Sequence, residues 1–406
     1  MRKVILFLLI FNSILFSDWE QIESPLNMFI YTVQFVNSST GYIGSEAGMI
    51  YKTTNGGQNW AFQQLAGLGA NNINDIFINP INSNYIYAAG NDGSLHRTTN
   101  AGANWIFTDL GTANLRTVVF FDLLHGITAA YGTQLYVTSN GGSNWTPVST
   151  GIASENYWCS FATANAVYVT SSGGKIAKST NAGQNWLIQN INEDAIVYSV
   201  YFKDVNTGYA GTDGGKVYQT TNGGTNWLLL SVLNPPISIN KITSNGIDLY
   251  LCGSAGYIYK RPAGGNTWYP QVSNSSSPFF DLCFADENTG YAVGSSGKIR
   301  KTTNGGNPIG IQPVLGTLPE KFSLSQNYPN PFNPETNIEF SVPYQSHIKL
   351  AIYDNIGREV SLLADEFLSA GVYKVNFNAG NLTSGVYFYR FTTKEYSSVK
   401  KMILIK

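Results

Sequence analysis

The sequence predicts an all-β protein with two parts, a ring of seven small antiparallel sheets followed by a smaller β-sandwich. Three observations predict this. A Gly- and Asn-rich hairpin that ends in Trp recurs about every 41 residues, the recurrence stops after Gly306, and the remaining chain alternates between polar and apolar residues. A period of this length is typical of the blades of a β-propeller.

The repeat is clearest at residues 48–60 (GMIYKTTNGGQNW). Each copy reads as a short strand, a tight turn and a second strand that starts near the Trp. We expect Asn55 to bond backbone groups two residues on, while Gly56 and Gly57 take positive φ without a Cβ clash. Full burial of each Trp contributes roughly 2 to 3 kcal/mol. The recurring Trp residues are Trp60, Trp105, Trp145, Trp186, Trp227 and Trp268, and the Asn residues equivalent to Asn55 are Asn100, Asn140, Asn181, Asn222 and Asn304.

A seventh copy is truncated, because Ile309 stands where its Trp is due. Near the other end of the chain, Trp19 lies 41 residues before Trp60 and is therefore in phase with the repeat. We predict a seven-bladed β-propeller over residues 18–306 in which the N-terminal strand completes the last blade. Closure of this kind removes exposed sheet edges.

Residues 1–17 have the charged start and apolar run of a secretory signal peptide. The run is too short for a transmembrane helix. We therefore expect export to the periplasm and a mature protein without a transmembrane segment. An uncleaved N-terminal anchor is the alternative.

Composition excludes some classes of function. Only 12% of the residues are charged and the net charge is -1, so the basic face that nucleic-acid binding needs is absent. The three His show no ligand spacing, and we expect no metal or other cofactor. Cys159, Cys252 and Cys283 are interpreted as small buried hydrophobic residues. A disulfide between Cys252 and Cys283 is the alternative.

The spacing Thr53-x-Asn55-x-Gly57-x-x-Trp60 resembles the repeat of neuraminidase propellers, which include glycoside hydrolases, so the resemblance makes an enzyme one candidate class. A sialidase would need three convergent Arg, yet Arg116 alone is placed on an inner strand. A general glycosidase needs two carboxylates roughly 5 to 9.5 Å apart. Asp75 and Asp281 are the best inner-strand candidates, although blade 1 separates them in sequence order. We therefore predict no catalytic residues, and keep glycoside hydrolysis as the alternative function.

The other class is a binding or scaffold protein. Inner strands approach one mouth of a propeller channel at their first residues, where aromatic rings can stack on a sugar or receive a peptide. The predicted ligand-binding residues at this mouth are Tyr31, Arg116, Tyr157, Trp158, Tyr198, Phe280 and Asp281. Packing between blades is the alternative role for each of them. The ligand is expected to be an extracellular glycan or protein, and the protein a monomer.

The spacing Thr53-x-Asn55-x-Gly57-x-x-Trp60 resembles the Asp-box of bacterial neuraminidase repeats, with Asn in place of Asp. In that family the box is a structural hairpin. The stretch YKTTNGGxNW also resembles the propeller of photosystem II assembly factors and of many exported bacterial proteins. This resemblance covers roughly residues 18–306 and implies a propeller that acts as a binding platform.

Residues 307–319 (NPIGIQPVLGTLP) read as a linker. In residues 320–406, the segments 347–353, 371–377, 385–391 and 398–405 alternate with period two, which predicts the half-buried strands of a small β-sandwich. The module resembles the type A C-terminal sorting domain of type IX secretion, which implies delivery by that translocon to the cell surface or medium. The matching residues include Asn327, Tyr328, Pro329, Asn330, Pro331, Phe332, Asn333, Pro334, Gly385 and Tyr387.

Overall fold

The computed structural model describes residues 19–67, 71–132, 134–152, 157–163, 166–191, 193–266, 268–271, 273–306, 311–314, 319–344, 346–368, 370–380 and 382–406. For residues 158–162, 311–314 and 366–367 it describes the backbone alone. The predicted signal peptide, residues 1–17, lies outside these ranges. Across them, no helix is long and apolar enough to cross a membrane.

The first part of the described chain is a β-propeller, as predicted. Its strands, in chain order, are β1 (Glu20–Ile22), β2 (Ile30–Phe35), β3 (Gly41–Ser45), β4 (Ile50–Thr53), β5 (Ala61–Gln63), β6 (Ile73–Ile78), β7 (Ile86–Gly90), β8 (Ser94–Thr98), β9 (Ile106–Asp109), β10 (Leu115–Phe120), β11 (Gly126–Ala130), β12 (Leu135–Thr138), β13 (Thr146–Val148), β14 (Tyr157–Ala162), β15 (Val167–Ser171), β16 (Lys175–Ser179), β17 (Leu187–Asn190), β18 (Val197–Phe202), β19 (Gly208–Thr212), β20 (Lys216–Thr220), β21 (Leu228–Val232), β22 (Ile239–Ser244), β23 (Leu249–Gly253), β24 (Ile258–Arg261), β25 (Tyr269–Gln271), β26 (Phe279–Phe284), β27 (Gly290–Gly294) and β28 (Ile299–Thr302). Two short 3-10 turns, Ser254–Gly256 and Ser295–Gly297, interrupt the hairpins after β23 and β27.

In this part of the described chain the strands form seven four-stranded antiparallel sheets. Blades 1 to 6 each consist of four consecutive strands, from β2–β5 to β22–β25, and blade 7 has the order β1-β28-β27-β26. In blade 7, Glu20 lies opposite Lys301 and Ile22 opposite Ile299. The inner strand of each blade contacts that of the next, and β26 contacts β2. The inner strands therefore surround a central channel.

A recurring group of three rings explains why Trp, Phe and Tyr repeat together. Trp60 meets Phe35 of its own blade edge to face, and Phe35 stacks on Tyr291 of the preceding blade with centroids 3.7 Å apart. Trp19 occupies the same place in blade 7, where it is fully buried against Phe284. The same group recurs as Trp145, Phe120 and Tyr87, and as Trp227, Phe202 and Tyr168. In blades 1, 3, 5 and 7 the Trp thus packs on a Phe that contacts a Tyr of the blade before it.

The hairpin is held by its Thr and Asn side chains. Thr53 Oγ1 donates to Asn55 Oδ1 and accepts from the Gly57 N–H at 2.9 Å. Asn55 Oδ1 also accepts from the Asn59 N–H, so its backbone partner lies four residues on, not two as expected. Gly56 and Gly57 have φ of 67° and 86°, as predicted.

Blades are also joined by a polar latch, in which a Tyr and a Lys or Arg on one blade donate to the same turn carbonyl of the next. The donors and acceptors are Tyr42 and Lys52 to Ala101, Tyr87 and Arg97 to Gly141, Lys178 to Gly223, Tyr250 and Lys260 to Gly305, and Tyr291 and Lys301 to Gly56, at 2.6 to 3.1 Å. Blades 3 and 5 differ: in blade 3 Ile127 and Val137 stand opposite each other at the two donor positions, and in blade 5 Gln219 stands opposite Tyr209 and donates to its hydroxyl. Contact between blades 3 and 4 is therefore apolar at this point.

The second part of the described chain is built from two more sheets. Its strands are β29 (Ile311–Val314), β30 (Ser323–Leu324), β31 (Glu335–Val342), β32 (Ser346–Tyr353), β33 (Glu359–Leu368), β34 (Gly371–Asn378), β35 (Gly385–Thr393) and β36 (Ser397–Leu404). One sheet has the order β29-β34-β31-β30 and the other β33-β32-β35-β36. Side chains of both sheets, such as Phe340 and Tyr389, share one core. This arrangement is the predicted β-sandwich.

The predicted linker differs from the structure. Ile311–Val314, inside the segment 307–319, forms β29 and pairs with β34 of the sandwich, with Ile311 opposite Val375. The Pro and Gly content of the segment suggested a linker. However, β29 is an edge strand, where Pro313 can be accommodated.

The predicted sorting motif contacts the last strand. Asn330 Oδ1 accepts from the Ile403 N–H at 2.9 Å, and the Phe332 backbone donates to Ile403 O and accepts from the Ile405 N–H. Asn327 binds Tyr389 and Thr336, while the ring of Tyr328 is 80% exposed. The motif is therefore part of the fold of the sandwich, and Tyr328 is its exposed aromatic ring.

Candidate functional site at the channel mouth

All seven inner strands carry an irregularity at the same place. In each one the pairing register shifts after the first residue, so the second residue has no partner in the ladder, as in a β-bulge. A bulge re-aims the side chain it carries. The second residues are Tyr31, Asn74, Arg116, Trp158, Tyr198, Asn240 and Phe280.

The bulge separates core residues from channel residues. Every first residue of an inner strand is fully buried between blades, whereas the second residues are half-buried wherever their side chains are described. Tyr157 is a first residue, so its predicted place at the mouth is wrong. Its ring packs among apolar residues of blades 3 and 4, and its hydroxyl lies 2.6 Å from Thr150 Oγ1. The side chain of Trp158 lies outside the described residues.

The predicted mouth residues Tyr31, Arg116, Tyr198, Phe280 and Asp281 line one pocket. The structure adds Asn74, Asp75, Thr117, Asn240 and Lys241. The pocket encloses about 440 Å³ of space between atoms, including part of its open mouth, and six blades contribute to its wall.

The third residues of the inner strands hold neighbouring blades together. Thr32 Oγ1 accepts from the Ile76 N–H at 3.2 Å, and Ser199 Oγ accepts from the Ile242 N–H at 2.8 Å. The two aspartates act in the same way: Asp75 accepts from the Val118 N–H and Asp281 from the Val33 N–H, both at 2.9 Å. Each bond runs from one inner strand to the next.

Lys241 is the exception among these third residues, because an ammonium group cannot accept a hydrogen bond. Its Nζ lies 3.0 Å from Asp281 Oδ1. Asp281 Oδ1 also accepts from the Leu282 N–H, while Oδ2 accepts from the Thr32 hydroxyl and the Val33 N–H. A carboxylate offers about four acceptor positions, so Asp281 is saturated by the protein.

Asp75 lies in the same pocket, close enough for both Lys241 and Asp281 to influence its titration. The pKa of Asp75 is raised to about 6, mainly because the group is buried; the charge of Asp281 adds to the shift, and Lys241 and the Val118 N–H act against it. The sequence had separated the two aspartates by blade 1, but the channel brings them to one wall. Asp75 therefore changes charge near pH 6.

Arg116 and three phenols form one side of the rim. The guanidinium lies over the ring of Tyr131, 5.5 Å from its centroid. Burial lowers the pKa of Arg116, and the nearby Tyr131, Tyr31 and Tyr198 act against that shift. The same guanidinium lowers the pKa of Tyr31 and Tyr198, although burial raises both overall. Arg116 thus faces phenols from blades 1 and 5.

Tyr31 also belongs to a cluster of aromatic side chains at the rim. Tyr31 and Phe280 have centroids 5.6 Å apart, and Phe29, which is 40% exposed, meets both rings edge to face. Two amides complete the wall: Asn74 Nδ2 donates to Leu115 O at 2.7 Å, and Asn240 Nδ2 donates to Phe279 O at 2.7 Å. These bonds fix the amide orientations.

Alignment of the inner strands could have found the residues that sequence reasoning missed. Asn74 and Asn240 occupy the same strand position as Tyr31, and Lys241 that of Asp281. Within the described ranges, no cluster of three or more His, Cys, Asp or Glu could hold a metal ion.

The remaining cysteine predictions concern burial. Cys252 and Cys283 are buried and free, so the disulfide alternative is wrong. Cys252 packs in the core between blades 6 and 7, and Cys283 in the core between blades 7 and 1. The sheet of blade 7 lies between the two thiols. The side chain of Cys159 is outside the described residues.

Fold and site together define a β-propeller with a polar channel pocket, joined to a β-sandwich. The sequence model of the photosynthesis system II assembly factor YCF48 family matches residues 11–303, so the chain belongs to this family. The model of the secretion system C-terminal sorting domain matches residues 326–406. This domain indicates export by the type IX system, to the cell surface or the medium.

Solved structures support the fold. A structure of YCF48 bound to D1 peptide superposes with a TM-score of 0.60 at 19% identity, covering 71% of this chain and 96% of that one. YCF48 from Cyanidioschyzon merolae gives 0.58 at 15% identity, covering 70% and 98%. The WD40 β-propeller domain of Doa1 gives 0.57 at 12% identity, covering 70% and 97%. No curated protein matches the sequence.

Proposed function

We propose that the chain is a monomeric, non-catalytic binding module that the type IX translocon delivers to the cell surface, where the channel pocket binds an extracellular glycan or protein. The family and the sorting domain support this role in outline. The observation that carries it is the pocket itself, which gathers polar and aromatic side chains from six blades at one mouth of the channel.

The chemistry of the pocket favours binding over turnover. Catalysis by a carboxylate pair needs one group to donate a proton and the other to act as base or nucleophile. Asp281 has its acceptor positions filled by two backbone N–H groups, a hydroxyl and an ammonium. It could attack or deprotonate only if it gave up bonds that join blade 7 to blade 1.

One observation favours glycoside hydrolysis as a second candidate. Asp75 has a pKa raised to about 6 and shares the pocket with Asp281, and a raised carboxyl pKa is typical of a general acid. If this candidate is right, the purified protein will hydrolyse a p-nitrophenyl glycoside, and Asp75→Asn will abolish the activity. Absence of hydrolysis across a panel of such glycosides would exclude it.

Binding can be tested with the purified full chain on glycan and peptide arrays. We expect selective retention of one class of probe, and loss of at least about tenfold in affinity for Arg116→Ala combined with Tyr198→Ala. Phe62→Ala, which removes an exposed ring on the outer strand β5, is the matched control and should bind normally. Unchanged binding by the double variant would contradict a site at this mouth.

A further inference from the structure

We propose that the channel pocket binds the terminal residue of an uncharged glycan, an inference that rests on the proposed binding function and names its ligand class. The shape of the pocket comes first. Its lining residues come from the inner strands of blades 1, 2, 3, 5, 6 and 7, so the described wall surrounds the space instead of flanking a groove. A chain-like ligand therefore enters the pocket with one of its own ends first.

The balanced charges of the pocket lining favour a ligand whose terminal residue is uncharged. Above pH 6 the described lining carries two cations, Arg116 and Lys241, and two carboxylates, Asp75 and Asp281. The formal charges cancel. A peptide terminus would bring an ammonium or carboxylate group into this balanced site and would lose hydration without a net counter-charge. The end of a neutral glycan brings none.

The hydrogen-bonding groups suit hydroxyls, each of which donates one bond and accepts others. Asn74 and Asn240 donate through Nδ2 to backbone carbonyls, and no described residue donates to either Oδ1. Asp75 accepts from the Val118 N–H and from Thr117, and its carboxylate has further acceptor positions. Arg116 and Lys241, whose charged groups carry donors only, line the same pocket.

Aromatic rings add to the complementarity between the pocket and a sugar. Tyr31 and Phe280 line the pocket together, and their rings are inclined by 34°. Such rings cover the C–H face of a pyranose while the polar groups bind its hydroxyls. Phe29, on the exposed side of this pair, extends the aromatic surface toward the next sugar of a chain.

The test uses the purified full chain and the methyl glycosides of glucose, galactose, mannose and N-acetylglucosamine, measured by saturation-transfer NMR and calorimetry at about pH 7.5, above the pKa of Asp75. We expect at least one glycoside to bind. Tyr31→Ala and Asn240→Ala should each weaken it by about fivefold or more, as for loss of one ring contact or hydrogen bond. Phe62→Ala and Asn376→Ala, at exposed positions on β5 and β34, are the matched controls.

Folding of each variant is monitored by its melting temperature. Tyr31→Phe keeps the ring and should retain most of the affinity, so it serves as the second variant if Tyr31→Ala proves unstable. The inference is overturned if no glycoside binds and peptides with free termini bind instead. If that peptide binding depends on Tyr31 and Asn240, the proposed binding function still stands. Binding of neither class would overturn both. Hydrolysis of a bound glycoside would support the ligand class and overturn the non-catalytic role.

Discussion

Lys301 in the last blade donates through Nζ to the carbonyl of Gly56 in the first blade, at 2.8 Å. Tyr291 donates to the same oxygen at 3.1 Å. The two residues are paired on adjacent strands of blade 7, and the equivalent pair in blade 1 reaches Ala101 of blade 2. The contact between the ends of the ring therefore uses the same bonds as the contacts within it.

The first prediction concerns this latch. Tyr291→Phe combined with Lys301→Met leaves the buried Gly56 carbonyl without either donor, which should lower the free energy of unfolding by about 1 to 3 kcal/mol. Urea denaturation measures the change. Lys203→Met, at an exposed lysine, is the control. An unchanged midpoint in the double variant would show that the latch adds nothing to the closure between blades 7 and 1.

Trp19→Ala tests the contribution of the N-terminal strand. Trp19 is fully buried and meets Phe284 edge to face at 5.9 Å. Its removal should cost about 3 to 5 kcal/mol, as for other large buried aromatic residues. Thermal and urea unfolding provide the measurement, with Phe62→Ala as the exposed aromatic control. A melting temperature equal to that of the parent protein would be inconsistent with this packing.

The hairpin predicts opposite outcomes for two substitutions. Asn55 uses Oδ1 to accept from Thr53 and Asn59, and a carboxylate at this position could accept the same bonds, so Asn55→Asp should change stability by less than about 0.5 kcal/mol. Thr53→Val removes the acceptor of the buried Gly57 N–H and should cost about 1 to 3 kcal/mol. Denaturation of both variants tests the pair, and equal effects would contradict these roles.

The raised pKa of Asp75 predicts a pH dependence of stability. Between about pH 4 and pH 6 the folded state keeps a proton on Asp75 that the unfolded chain has released, so its contribution to stability falls as pH rises through this window. Asp75→Asn removes the titration. The difference in unfolding free energy between variant and parent should therefore shift in favour of the variant from about pH 4 to about pH 6. A difference that is constant with pH would disprove the shift.

The next prediction is that the C-terminal sandwich directs export and can be removed without unfolding the propeller. The core cluster of the sandwich contains only residues between Leu324 and Leu404, and the clusters of the propeller contain none of them. Deletion of residues 307–406 should leave a propeller with an unchanged melting transition that accumulates in the periplasm of the producing cell. Fractionation and protease shaving measure its location. Surface display of the truncated chain would contradict the sorting role.

Much of the fold was predictable from the sequence because each blade repeats the same solution to the same packing problem. The phase of Trp19 predicted a strand beside the last blade, and β1 pairs with β28 there. The strand β29 was missed, because edge pairing tolerates the Pro that suggested a linker.

The candidate site was predicted in part. Tyr31, Arg116, Tyr198 and Phe280 line the pocket, as their place at recurring strand starts predicted, and their role in binding stays a prediction. Tyr157 was wrong because a bulge inverts the simple alternation of faces, and the sequence carries no mark of a bulge. Asp75 and Lys241 line the same pocket because their blades lie around one channel. No local sequence pattern encodes that distance.

The repeated bulge has a consequence for how such a protein can change. Each bulged residue is outside the register of its ladder, so its side chain is chosen without regard to a cross-strand partner, while the buried first residue and the clasping third residue keep the blades joined. Seven positions around one opening are thereby released from cross-strand pairing, although Asn74 and Asn240 still bond the neighbouring inner strands. The side chains at these positions can therefore vary while the arrangement of the blades stays the same. New ligand preferences can arise there by single substitutions.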